Sequence, residues 1–146
     1  MRKGFTLLEV LVATAILAIT LLGLLGAIVV SQKENLSSLK REEATRLLKE
    51  ELDSFLAKNY DDVTLPNCPP SDTNRENFLK TTCSNNLDSG TDIRVRIARN
   101  INLEFAVSSC MTEDTTLNIK TVYVDVCWKR AGGKEHLIGS MVVRKE

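Results

Sequence analysis

The chain has 146 residues with 19 Lys+Arg against 19 Asp+Glu and one histidine, so it is formally neutral. That length holds one small domain beside any anchor, and the even charge gives no bulk attraction to nucleic acid. Only 5% of residues are aromatic, which leaves little material for base-stacking platforms.

Met1, Arg2, Lys3 and Gly4 precede an apolar run from Phe5 to Val30. The run is 26 residues long, holds one charge, Glu9, and has no proline. At about 1.5 Å per residue a helix of this length reaches ~39 Å, enough to cross a bilayer with some tilt. A secretory signal has a shorter apolar region with a small-x-small cleavage site behind it. Here the small residue, Gly4, stands in front, so a cut there leaves the run on the product. An ionised carboxylate costs about 2.5–3.5 kcal/mol at a helix centre in hydrocarbon, less near an end, and marks function by default.

The stretch Gly4-Phe5-Thr6-Leu7-Leu8-Glu9-Val10 resembles the class III signal of type IV prepilins. The resemblance implies a cut between Gly4 and Phe5 by a membrane prepilin peptidase, which also N-methylates Phe5. It further implies that Glu9 meets the N-terminal amine of a neighbouring subunit during assembly. Two opposite charges in a low dielectric each remove the other's penalty. Loss of Arg2 and Lys3 leaves 17 basic against 19 acidic residues, a net −2 before the termini.

Cys68, Cys83, Cys110 and Cys127 all lie behind the anchor. An even set reads as two disulfides in an oxidising compartment, with the C-terminal domain outside the cytoplasm. Zinc is the competing reading. There is no Cys-x-x-Cys pair and His136 is the only histidine, so no metal or other cofactor is expected. The positive-inside count does not orient the chain, because Lys33, Lys40, Arg41, Arg46 and Lys49 follow the anchor while only Arg2 and Lys3 precede it. The cysteines and the prepilin resemblance put the leader in the cytoplasm, a single pass in the inner membrane and the rest in the periplasm.

From Ser31 to about Lys58 there is no Pro or Gly. Leu36, Leu39, Ala44, Leu47, Leu48, Leu52, Phe55 and Leu56 recur at spacings of three and four, predicting one apolar stripe on a helix. Glu42 and Arg46 are in the favourable i,i+4 order. One helix is therefore expected from near Phe5 to Lys58, about 80 Å long. Gly23 and Gly26 within it have two open readings: close packing in the membrane, or loosening of the helix in a fibre.

Residues 61–91 read as a connecting loop, with turn formers at Asn67-Cys68-Pro69-Pro70-Ser71-Asp72, Ser84-Asn85-Asn86 and Ser89-Gly90. Beyond Asp92 the period is two. Ile93, Val95 and Ile97 alternate with Arg94 and Arg96, Leu103, Phe105 and Val107 form a second run, and Val122, Val124, Val126 and Trp128 a third. A mixed run, Leu137 to Val143, follows a hairpin at Arg130–Lys134. Four strands with one buried face each make an antiparallel sheet on the helix stripe. The opposite parity of Leu117 and Ile119 suggests a bulge near Lys120-Thr121. Spacing and strand parity favour Cys68–Cys83 and Cys110–Cys127 among the three possible pairings.

The expected class is thus α+β with the pilin-like arrangement: leader 1–4, transmembrane half-helix 5–30, amphipathic half-helix 31–60, loop 61–91 and sheet 92–146. Ala44-Thr45 with Leu47-Leu48 and Glu51-Leu52, and the strand from Val122 to Trp128 with its glycine turn, resemble PilV-type minor pilins and the I-type pseudopilins of type II secretion. That resemblance implies partners: prepilin peptidase, other pilin or pseudopilin subunits, an inner-membrane assembly platform, and membrane lipid before assembly. No Ser/His/Asp or Cys/His set stands out, so no enzyme is expected, and His136 reads as a solvated residue. Three functions remain: a minor pilin that primes or caps a type IV pilus, a secretion pseudopilin, or a DNA- or surface-binding subunit using Arg94, Arg96 and Arg99.

Overall fold

A computed structural model of the chain describes residues 6–145. Gly4 and Phe5, and the expected cleavage point between them, lie outside the described residues. The chain divides into two compact units, Met1–Ser38 and Leu39–Glu146. Helix α1, Leu7–Leu56, contributes to both.

In the first unit every described residue up to Leu36 is exposed, and to Val30 nearly all are apolar. A helix that is apolar all round is one that hydrocarbon must solvate. This helix is long and apolar enough to cross a membrane. Gly23 and Gly26 have open space where a Cβ would stand, and α1 is unbroken across them. Neither packing nor loosening at these glycines is visible within one subunit.

The second unit holds α1 from Leu39, a second helix and one sheet. Ala44, Leu47, Leu48 and Phe55 are buried, with Leu39 and Leu52 packed beside them. This is the stripe read from the sequence, without Leu36 and Leu56, which are exposed. Arg46 pairs with Glu43 at 3.3 Å rather than with Glu42. The strands are β1 (Ile93–Ala98), β2 (Ile101–Asp114), β3 (Ile119–Arg130) and β4 (Gly133–Arg144), adjacent in chain order. All pairs are antiparallel. Long helix on four-stranded antiparallel sheet is the α+β, pilin-like arrangement expected.

On the face toward α1 lie Leu103, Phe105, Val107, Val122, Val124, Val126, Trp128 and Val143. Phe105 meets Trp128 edge to face with centroids 6.0 Å apart. Each such side chain, fully buried, contributes about 1.5–3 kcal/mol. Gly139 lets α1 come close: a Cβ there would stand 3.0 Å from Leu48 Cδ2 and 3.2 Å from Leu52 Cδ1.

The other face is covered as well, which corrects the reading of 61–91 as a loop. A 3₁₀ turn, Tyr60–Asp62, leads to α2, Asp72–Ser89. Ser71 caps α2 by accepting the N–H of Asn74, and Gly90 ends it in the left-handed conformation at φ 75°. Leu79, Cys83 and Leu87, spaced by four, are its buried stripe. Propensity hid the helix, because Ser, Thr and Asn fill it and favour turns in isolation. Packing on the sheet outweighs that preference. Under α2 lie Ala106, Ser108, Cys110, Asp125 and Cys127, all buried, so the sheet is not solvated on this side.

Strand β1 is turned over relative to expectation. Arg94 and Arg96 face α1, where they pair with Glu51 and Glu50. Ile93 packs on the α2 side, while Val95 and Ile97 are exposed. The register with β2 sets this parity, since Ile93 stands opposite Ala106 and Arg94 opposite Phe105. The β2–β3 register runs unbroken from Ala106↔Cys127 to Asp114↔Ile119, so there is no bulge near Lys120-Thr121. The parity change has another cause. Leu117 belongs to the turn, whose N–H groups at Thr116 and Leu117 are held by Asp114 Oδ1. Lys120 points inward, donating to the carbonyls of Tyr60 and Val63 at 2.9 and 3.1 Å.

The disulfides are Cys68–Cys110 and Cys83–Cys127. This overturns the expected pairing. Cys110 and Cys127 do share the face away from α1, but Cys110 stands opposite Tyr123 and Cys127 opposite Ala106. Four pairs along the ladder is about 13 Å, beyond the ~7 Å that a disulfide tolerates between Cα atoms. Each bond instead ties the sheet to what covers it. Cys83 comes from α2. Cys68 comes from a segment that bridges β2, with Cys68 N–H donating to Met111 O and Met111 N–H to Pro66 O.

Candidate functional site

Thr6 is the last non-helical residue before α1. Its backbone N–H donates to Glu9 Oε2 at 3.2 Å and its hydroxyl to the same oxygen at 3.3 Å. In return Glu9 N–H donates to Thr6 Oγ1 at 3.3 Å. Thr-x-x-Glu is a capping box, two orphan N–H groups satisfied reciprocally. Glu9 also stands in the first turn, where a negative charge suits the helix dipole. These bonds use two of the roughly four lone-pair positions of a carboxylate. The group can therefore accept another donor while still capping its own helix.

Phe5, the residue a cut after Gly4 would leave at the terminus, directly precedes this box. Behind it comes the exposed apolar helix, where Glu9 with Val10, Ala13, Thr14 and Leu17 borders a shallow, nearly wholly apolar depression. A signal residue pair, a capping carboxylate and an unpartnered apolar helix thus stand in sequence. Residues 1–30 match the family model of the prokaryotic N-terminal methylation motif. The chain carries a prepilin-type signal. Such a signal implies a type IV pilin-like or pseudopilin precursor, with processing by prepilin peptidase, membrane anchoring and assembly with other pilins. No curated protein and no solved structure matches the chain.

The second unit holds a polar constellation that sequence reading missed. His136 Nδ1 lies 2.8 Å from Asp125 Oδ2, and His136 Nε2 lies 3.4 Å from Ser84 Oγ. Asp125 has no exposed surface and the His136 side chain is only 15% exposed, so His136 is not a solvated residue. Burial pushes the Asp125 carboxyl up from the ordinary value, with His136 and Lys80 opposing it. Lys134 Nζ donates to Ser84 O at 3.0 Å and pairs with Asp88, whose carboxyl this holds below the usual range. The order Ser–His–Asp is that of a catalytic triad, but an acyl-transfer site also needs free N–H groups to meet an oxyanion. Ser84 lies inside α2, where such groups are spent on the helix. The signals were available: the i, i+4 cysteine stripe of α2, and the parity of Asp125 with Cys127.

Cys83, Cys127 and His136 bring ligand atoms within 4.8 Å of one another. The two sulfurs are bonded to each other, so neither offers a thiolate to a metal. Of the arginines read as a basic ridge, Arg94 and Arg96 have glutamate partners on α1, and Arg99 lies in the β1–β2 turn.

Proposed function

We propose that this protein is a minor pilin: cut between Gly4 and Phe5, N-methylated at Phe5, anchored in the inner membrane with its second unit in the periplasm, and built into or priming a type IV pilus. The observation that carries this reading is the Thr6–Glu9 capping box at the head of the exposed apolar part of α1. It presents a carboxylate, already oriented, where a neighbour's N-terminal amine could pair with it in a low dielectric. The pseudopilin of a type II secretion system is the second reading, favoured by the same features and separated from the first by output. Support for nucleic-acid binding is weaker, because glutamates neutralise two of the three ridge arginines. No catalytic role is assigned: Ser84, His136 and Asp125 bind α2 to the sheet.

The deciding experiment is deletion of the chain in its own host, scoring surface pili and twitching beside secretion of exoproteins. Loss of pili with normal secretion supports the minor pilin, and the converse outcome supports the pseudopilin. Loss of neither would overturn both. Labelling of Ser84 by a fluorophosphonate probe would overturn the non-catalytic assignment.

A further inference from the structure

Hairpin β1–β2 turns through Arg99 and Asn100, both left-handed at φ 50° and 62°. Two isoleucines straddle this turn, Ile97 at 75% exposure and Ile101 at 44%. They lie on opposite faces of the hairpin, so the tip presents apolar groups on both sides of a cationic residue. Hairpin β3–β4 turns nearby at Ala131 and Gly132, just beyond Lys129 and Arg130. Lys40 Nζ donates to Lys129 O at 2.9 Å, and Lys40 and Lys129 border one depression with Asn102 and Glu104. Both turns therefore share the end of the second unit that carries its first residues, Leu39 and Lys40.

We propose that this end docks on an anionic phospholipid surface, the two isoleucines entering the headgroup layer and Lys40, Arg99 and Lys129 meeting phosphate. The inference rests on the membrane-anchored reading of the first unit. Only Ser31–Ser38 separate the apolar run from Leu39. Eight residues span about 28 Å even fully extended, so this end of the unit is tethered close to the lipid surface. Basic residues interleaved with exposed aliphatic ones are the composition that binds such a surface, the charges by attraction and the side chains by apolar burial. Acidic residues here are fewer: Glu135 is taken up by Arg130, and Glu104 is the unpaired carboxylate among those bordering the depression.

The test uses the full chain in nanodiscs of phosphatidylcholine alone or mixed with phosphatidylglycerol. Amide exchange is followed at residues 97–101 and 129–133, with the turn at 115–118 as internal reference. The expected result is several-fold slower exchange at the two tips in the anionic discs only. It should be lost at high salt and in the Arg99→Glu/Lys129→Glu variant, and weakened in Ile97→Asn. Unchanged protection of β3 amides checks that the variants fold. Equal exchange in both lipids would overturn the proposal. So would slowing that depends on the number of copies per disc, the mark of a contact between subunits. A chain that failed to co-elute with discs would overturn the membrane reading and this inference together, whereas co-elution without a lipid effect overturns the inference alone.

Discussion

His136 on β4 holds its Nδ1 2.8 Å from the Oδ2 of Asp125 on β3, a carboxylate wholly buried beneath α2, whose other oxygen has no hydrogen-bond partner. The pair lies beside the Cys83–Cys127 bond, and Ser84 extends it to the helix. Helix, strand and strand are thus joined at one point by a covalent bond and a chain of polar contacts.

Asp125 gives the domain a pH dependence of defined sign. Its folded pKa is raised above the ordinary 3.8 by burial. Its contribution to stability is therefore fully present below that ordinary value and is lost as pH rises through the folded pKa, because the folded state gives up its proton later than the unfolded chain. Asp125→Asn removes the titration. Thermal midpoints of both proteins between about pH 4 and 7 should diverge in favour of the variant as pH rises, since each tenfold difference in proton affinity between the folded and unfolded chain is worth about 1.4 kcal/mol. Parallel curves would show that the carboxyl is not raised. His136→Ala, by contrast, leaves a buried carboxylate without its donor. That change should cost about 1–3 kcal/mol near neutrality and less in acid.

Peptide mapping of the oxidised protein should recover Cys68–Cys110 and Cys83–Cys127, and neither alternative pairing. The sequence separations are 42 and 44 residues, so each bond stabilises by about 4 kcal/mol in the chain-entropy model. Cys83→Ser/Cys127→Ser should also release α2, seen as faster amide exchange at 79–87. Exchange that stays slow there would mean that packing alone holds the helix.

At Gly139 a side chain has to displace Leu48 and Leu52. Their methyl ends can shift by a few tenths of an ångström, so Gly139→Ala should cost little, while Gly139→Val should cost about 1–3 kcal/mol through overpacking. Denaturant midpoints of the two variants decide it. Equal stability would place α1 farther from β4 than described.

Lys120 is buried, with its ammonium on two carbonyls and 4.4 Å from the Tyr60 ring centroid. Lys120→Met keeps the length but leaves the buried Val63 carbonyl without its donor, while Tyr60 O keeps the Val63 N–H, at about 1–3 kcal/mol. The loss should fall on the 3₁₀ turn. Proteolysis near residues 60–63 ought to become faster, and a variant as resistant as the native chain would argue that water replaces the ammonium there.

Glu9→Ala tests assembly apart from folding. Removing the charge lowers the cost of insertion, so membrane content and cleavage after Gly4 should persist and the second unit should melt unchanged. Incorporation into sheared filaments should fail. Normal incorporation would refute the pairing role, and a lowered melting temperature would show that the effect extends beyond assembly. Gly4→Val is the companion: intact mass should show an uncut precursor.

Sequence alone settled the features that are local or periodic. The apolar run, its leading glycine and its one carboxylate are contiguous, so the signal needs no fold to be read. The α1 stripe and the inward faces of β2 and β3 follow from periods of 3.6 and two, because burial of one face imposes them. Tertiary structure alone decided the rest. Parity gives the face of a cysteine but not its distance along the ladder, so the pairing of Cys110 and Cys127 had to wait for register and for α2. The parity of β1 came from its register with β2, which puts Ile93 opposite Ala106 and turns Arg94 and Arg96 toward Glu51 and Glu50 on α1. Helix α2 has weak intrinsic propensity and exists because Leu79, Cys83 and Leu87 find the outer face of the sheet. On that face Asp125 is buried with His136 beside it from the next strand.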